Sequence, residues 1–149
     1  MCDIPLDLDP DEVIARAVGV PYHFNSAETK LRPAAFRPKP STDDLSVMRK
    51  SHMSANACKS KAKEIHGDAY RGFAALTARE IATTGATVVD SRAGQFCGHA
   101  HISQGRPAPG KDEPADPELQ EQYRKLSAAA RLYLDPEPPV EAWTGPDIV

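Results

Sequence analysis

Cysteine is scarce in this chain: three residues, at positions 2, 58 and 97, with no C-x-x-C spacing. An odd, widely separated set suggests neither a disulfide framework nor a zinc knuckle. Three free thiols fit a reducing compartment, so the expected location is cytoplasmic. Long apolar runs are missing too. None approaches the ~18–20 residues needed to cross a bilayer, and no membrane partner is expected. The stretch Met1 to Asp9 is acidic and lacks the basic opening of a secretory leader. Aromatic residues are few, at 6% of the chain, and no internal repeat is present.

Proline, by contrast, is abundant at 14 residues, many near the ends and in one loop. The core must therefore come from the middle of the chain. The 149 residues suit one domain with tails. We divide them into a domain over 1–134 and a Pro-rich tail over 135–149 whose Trp143 can dock back on the domain.

The net charge of -3 conceals strong segregation. Residues 30–79 carry eleven basic and four acidic side chains, whereas residues 1–29 and 107–149 are each acidic by five charges. A basic block between acidic ends suits a polyanion, or an acidic patch on a protein partner.

Local signals place the elements. Asp9-Pro10-Asp11-Glu12 reads as a helix start, with the helix running through Val13, Ile14, Ala17 and Val18. Residues 22–33 read as an irregular connection, and residues 34–38 as an edge strand ended by Pro38. Leu45 to Arg49 reads as a second strand. Ser54 caps a helix over 55–66 that stops at Gly67, with Cys58, Ala62 and Ile65 facing the core and Lys59, Lys63 and His66 forming a cationic stripe. Arg71–Leu76 reads as a strand, and Thr77-Ala78-Arg79-Glu80 is a capping box opening a short helix. Residues 86–90 form a further strand. Asp116-Pro117 starts the last helix, whose stripe is Leu119, Tyr123, Leu126, Ala130 and Tyr133. The sum is an α+β fold with about five short strands and helices packed on one face.

The chemistry-bearing segment is Phe96-Cys97-Gly98-His99-Ala100-His101-Ile102-Ser103. Read as a strand, it turns Phe96, Gly98, Ala100 and Ile102 to the core, and Cys97, His99, His101 and Ser103 to the other face. A metal at His99 and His101 needs a third ligand, with Asp90, His52 or His66 as candidates. Cys97 reads as a small filler, not as a nucleophile. The preferred reading is free of metal and cofactor. His99 and His101 act as acid–base groups, while Arg37, Lys39, Arg49, Lys50, Lys59, Lys63 and His66 hold nucleic acid or another phosphate-bearing ligand. The alternative is a non-catalytic module that holds an acidic protein partner.

Residues Gly105 to Asp112 share the glycines and the lysine of the Walker A pattern. Asp112 stands where the pattern has Ser or Thr, and Pro107 and Pro109 remove backbone donors, so a phosphate cradle is excluded there.

Overall fold

A computed structural model describes residues 2–25, 27 and 30–149. Its centre is a six-stranded antiparallel sheet, ordered β6-β7-β4-β1-β5-β8. The strands are β1 (Val13–Gly19), β4 (Leu45–Arg49), β5 (Tyr70–Thr77), β6 (Thr87–Asp90), β7 (His99–Ser103) and β8 (Arg131–Leu134). Two short strands, β2 (Phe24–Asn25) and β3 (Lys30–Leu31), pair separately within the connection expected over 22–33. Residues 26, 28 and 29 of that connection lie outside the described residues. The α+β class holds, with more strands than expected.

The expected first helix is instead β1, at the centre of the sheet. Asp9 forms a turn, accepting the Asp11 amide on Oδ1 at 2.8 Å and the Glu12 amide on its carbonyl at 3.0 Å. The Val-Ile-Ala-Arg-Ala-Val run that follows is apolar on both faces. A strand buried on both sides gives that same pattern, and pairing with β4 and β5 decides the outcome. The expected edge strand over 34–38 is a 3-10 turn, Pro33–Phe36, that buries Ala35 and Phe36.

Other elements follow their local signals. Helix α1 (Ala55–His66) is capped by Ser54, whose hydroxyl accepts the Ala57 amide at 3.0 Å, and ends at Gly67 with φ 55°. The Thr77–Glu80 capping box opens α2 (Ala78–Thr83), and Asp116 caps α3 (Pro117–Ala129). Tyr133 lies beyond α3, in β8. Gly72 allows β8 to approach β5 closely, since a Cβ there would sit 2.1 Å from the Tyr133 carbonyl oxygen.

Helices cover both faces of the sheet, not one. Ile14, Val18, Leu45, Val47, Ala100 and Ile102 pack with Phe36 of the 3-10 turn, Ile81 of α2 and Leu126 of α3. Ala15, Ala17, Met48, Phe73 and Ala75 pack with Cys58 and Ala62 of α1, and with Ile148 and Trp143 from the C-terminal segment. Ile65, expected in this core, is 56% exposed.

Two buried ion-pair clusters tie the ends to this frame. Arg49 is fully enclosed and meets Glu12 and Asp90 at 2.6 and 2.7 Å. It also donates to the carbonyls of Pro5 and Asp7. Lys59, likewise enclosed, meets Asp135 at 2.9 Å and donates to the carbonyls of Glu137 and Ala142. Residues 135–149 contain no helix or strand, yet Trp143 packs edge-on to Phe73 at 5.6 Å.

Cys2 and Cys97 form a disulfide. This overturns the expectation of three free thiols and removes the thiol-based argument for a reducing compartment. Cys58 is the one free cysteine among the described residues, and it is buried. No helix of the described residues is long and apolar enough to cross a membrane.

Candidate functional site

The sheet is incompletely zipped at its middle. β1 and β4 pair only at Ile14↔Arg49 and Ala15↔Met48. Beyond these pairs the guanidinium of Arg16 occupies the gap, with Nε donating to the Ala35 carbonyl at 3.0 Å and Nη1 to the Ser46 carbonyl at 2.8 Å. A charged side chain can lie here because backbone acceptors that a neighbouring strand would have used are left to it.

A cleft of about 470 Å³ opens at this gap. Arg16, Lys39, Asp44, Leu45 and Ser46 line one side, Lys61, Glu64 and Ile65 of α1 another, and Gly94, Gln95, Phe96 and His99 close it. Three cations face two carboxylates, so the lining carries net positive charge before His99 is counted. Burial pushes the Arg16 guanidinium down to about 10, against the opposing pull of Asp44, and it stays cationic at neutral pH.

His99 is 6% exposed. Its Nδ1 lies 2.8 Å from the Ser91 hydroxyl and 3.2 Å from the Ser91 carbonyl. Burial lowers its pKa, while the bond to the Ser91 backbone opposes that effect, and the ring is neutral near pH 7. In the tautomer that donates Nδ1–H to the carbonyl, Nε2 carries the lone pair. Nε2 takes no intramolecular hydrogen bond among the described residues. Phe96 stands edge-on to the imidazole at 5.2 Å, and Lys61 Nζ lies 4.7 Å from the centre of the Phe96 ring. The arrangement offers an oriented, neutral imidazole beside fixed positive charge. Such a set can bind an anion and move a proton at Nε2.

The period-two reading of the CGHAH segment holds only from His99 onward. Gly98 has φ 105° and breaks the alternation, so Phe96 packs with the α1-side core and not with Ala100 and Ile102. Cys97 is neither filler nor nucleophile, because its sulfur is bonded to Cys2. His101 shares the His99 face and stands opposite Ser46 in the sheet, but it does not line the cleft.

The expected phosphate-binding set disperses. Lys39 lines the cleft. Arg49 and Lys59 are sealed against carboxylates, so neither presents its charge to a ligand. Arg37 donates to the Glu113 carbonyl beside α3, and Lys63 faces the Pro139 carbonyl at 3.5 Å. His66 is engaged away from the cleft, with Nε2 donating to the Ala17 carbonyl at 3.2 Å and its ring 5.1 Å from that of His23. Lys50 lies in the 3-10 turn that follows β4, outside the cleft lining.

No group of three or more His, Cys, Asp or Glu among the described residues converges as a metal-ligand set. Of the third ligands considered, Asp90 is held by Arg49 and Arg92, and His52 lies 3.4 Å from Glu12.

Sequence reasoning missed Arg16 as a site residue, although its signal was present. A lone arginine inside an otherwise small and apolar strand needs specific acceptors to be there at all. Lys61 stood within the basic run but was left out of the binding set in favour of Lys59 and Lys63. Ser91 and Asp44 carried no local signal. No protein-family model matches the chain, nor does any curated protein or solved structure.

Proposed function

We propose that the chain binds a small phosphate-bearing ligand in the cleft between β4, α1 and residues 94–96, and that His99 exchanges a proton with it. The carrying observation is the meeting of His99, whose Nε2 has no partner among the described residues, with Arg16, Lys39 and Lys61 in one cavity. Arg16 holds two backbone carbonyls through Nε and Nη1, so its position costs nothing further to organise when an anion arrives. Lys39 and Lys61 supply the mobile charges. His99, with Nδ1 anchored on Ser91, is the acid–base group.

A small ligand fits better than an extended nucleic acid. Pockets of roughly 300–1,000 Å³ take single small molecules. The other cations of the basic segment lie elsewhere: Arg37 borders a depression beside α3, and Lys63 borders the C-terminal segment. They do not form one track with Lys39 and Lys61. The non-catalytic alternative, a basic patch holding an acidic partner protein, loses Arg49 and Lys59 to internal ion pairs.

Nitrogen-15 and proton NMR titration with inorganic phosphate, a nucleoside monophosphate and a single-stranded oligonucleotide tests this reading. The expected result is perturbation of Ser46, Lys61, Gln95 and His99 by the first two, weakened about tenfold in Lys61→Ala and in Lys39→Ala together. Perturbation elsewhere, or none at low salt, refutes it. His99→Gln should retain the ligand while abolishing turnover of any phosphoester that the wild type hydrolyses.

A further inference from the structure

We infer that the Cys2–Cys97 disulfide is a redox latch that fixes the cleft wall at residues 94–98 and, through it, the setting of His99. Its meaning for binding rests on the reading of the cleft as the ligand site, but the latch itself has an independent structural readout.

The bond joins positions 95 apart in the chain. One end is Cys2. The segment just after it is held without the disulfide: Arg92 Nη2 donates to the Ile4 carbonyl at 2.7 Å, and Arg49 donates to those of Pro5 and Asp7. That segment is therefore a fixed post. The other end, Cys97, directly follows Gly94, Gln95 and Phe96, which line the cleft, and stands two residues before His99. Away from the disulfide, the wall is held by few bonds: Gln95 N to the Arg92 carbonyl at 2.9 Å, and the Phe96 and Gly98 carbonyls to the amides of His99 and Arg49. Gly94, Gln95 and Cys97 are exposed. Phe96 packs against the α1-side core, and covalent attachment of its neighbour to the post adds a second restraint on this ring, which touches both His99 and Lys61.

The chemistry is ordinary exchange with an external dithiol. Its thiolate attacks the sulfur of Cys97, an exposed residue, the sulfur–sulfur bond breaks, and Cys2 leaves as thiolate and takes a proton. The second thiol of the reductant then displaces Cys97, which is likewise protonated. Two electrons pass to the protein, and the dithiol becomes a disulfide. Cys58 does not interfere, because it is buried beneath α1 in the core against Ala62 and Phe73.

The test uses the full chain with and without dithiothreitol, and Cys2→Ser as a reductant-free counterpart. Thiol titration should find no reactive thiol in the native oxidised protein, one after denaturation, and two in the native reduced protein. Hydrogen–deuterium exchange over residues 92–98 should quicken at least about tenfold on reduction, with β1 and β5 unchanged. Phosphate affinity should shift several-fold in parallel. Equal exchange in the two redox forms, or three thiols in the oxidised chain after denaturation, overturns the latch. Faster exchange with identical phosphate affinity overturns its control of the cleft. Faster exchange with phosphate bound by neither form upholds the latch and removes the ligand reading instead.

Discussion

Arg49 and Glu12 meet in a two-pronged ion pair, Nε to Oε2 at 2.6 Å and Nη2 to Oε1 at 2.8 Å, with both side chains enclosed. The pair lies at the zipped end of β1 and β4, and Asp90 completes it from β6. Removing one partner strands the other charge in the interior. Glu12→Ala should therefore lower unfolding stability by about 3–5 kcal/mol. Urea denaturation would measure it, and a loss below about 1 kcal/mol would contradict the enclosed pairing.

Lys59 does comparable work at the other terminus. Lys59→Met removes the donor to Asp135 and to two carbonyls of the C-terminal segment, and should cost about 3–5 kcal/mol. Trp143 is the only tryptophan of the chain, and it rests on Phe73. Its emission should shift to longer wavelength in the variant at urea concentrations where the wild type is still unchanged. Unaltered emission would show that Lys59 does not hold the segment.

Acid should act in two stages. Burial, then the charges of Arg16 and His66, push His23 down to about 4 from an ordinary 6.5. The fold thus favours the neutral ring. That contribution is complete above pH 6.5 and is lost as pH falls toward 4. Arg92, and with it Arg49, holds Asp90 well below the usual carboxylate range, so its contribution persists above the ordinary carboxylate value near 3.8 and is lost only below it. Stability by chemical denaturation should decline from pH 6.5 downward, and more steeply below 4. His23→Asn, which keeps an acceptor for the Gly19 amide, should reduce the upper stage and leave the lower one unchanged, the remainder of the upper stage coming from His66 and His99, which burial also lowers. A pH-independent plateau between 7 and 5 in the wild type would refute the assignment.

Gly98 has φ 105°, and a Cβ there would lie 2.5 Å from Met53 Sδ. Gly98→Ala should destabilise by about 1–3 kcal/mol, read as a lower melting temperature. It should also displace the His99 ring resonances, because His99 is the next residue. An alanine variant that melts with the wild type and leaves the His99 resonances in place would rule out that strain.

The legible parts of the fold were those with local cause. Ser54, Thr77 and Asp116 announce their helices because a cap is a contact between near neighbours. The region around β1 was misread because the Asp9-Pro10 turn imitates a helix start and a doubly buried strand lacks alternation. β8 was merged into α3 because Leu126, Ala130 and Tyr133 keep a helical spacing past the true end at Ala129. Of the site, His99 and Lys39 were visible. Arg16 and Lys61 were not singled out, since their meeting depends on which strands separate. Arg49 and Lys59 looked like surface charge because their acidic partners lie 37 and 76 positions away. The Cys2–Cys97 pairing joins positions 95 apart, and spacing alone does not reveal it.

The partial zipping of β1 against β4 makes the sheet resemble two panels of three strands, β6-β7-β4 and β1-β5-β8, joined along a short seam. Arg16 belongs to one panel and His99 to the other. A ligand gripped by both is therefore a cross-brace, and its binding energy adds to the cohesion of the whole molecule. At a concentration one hundred times its dissociation constant it would add about 2.7 kcal/mol. Protection against heat thus becomes a way to identify what the cleft accepts without first knowing what reaction follows.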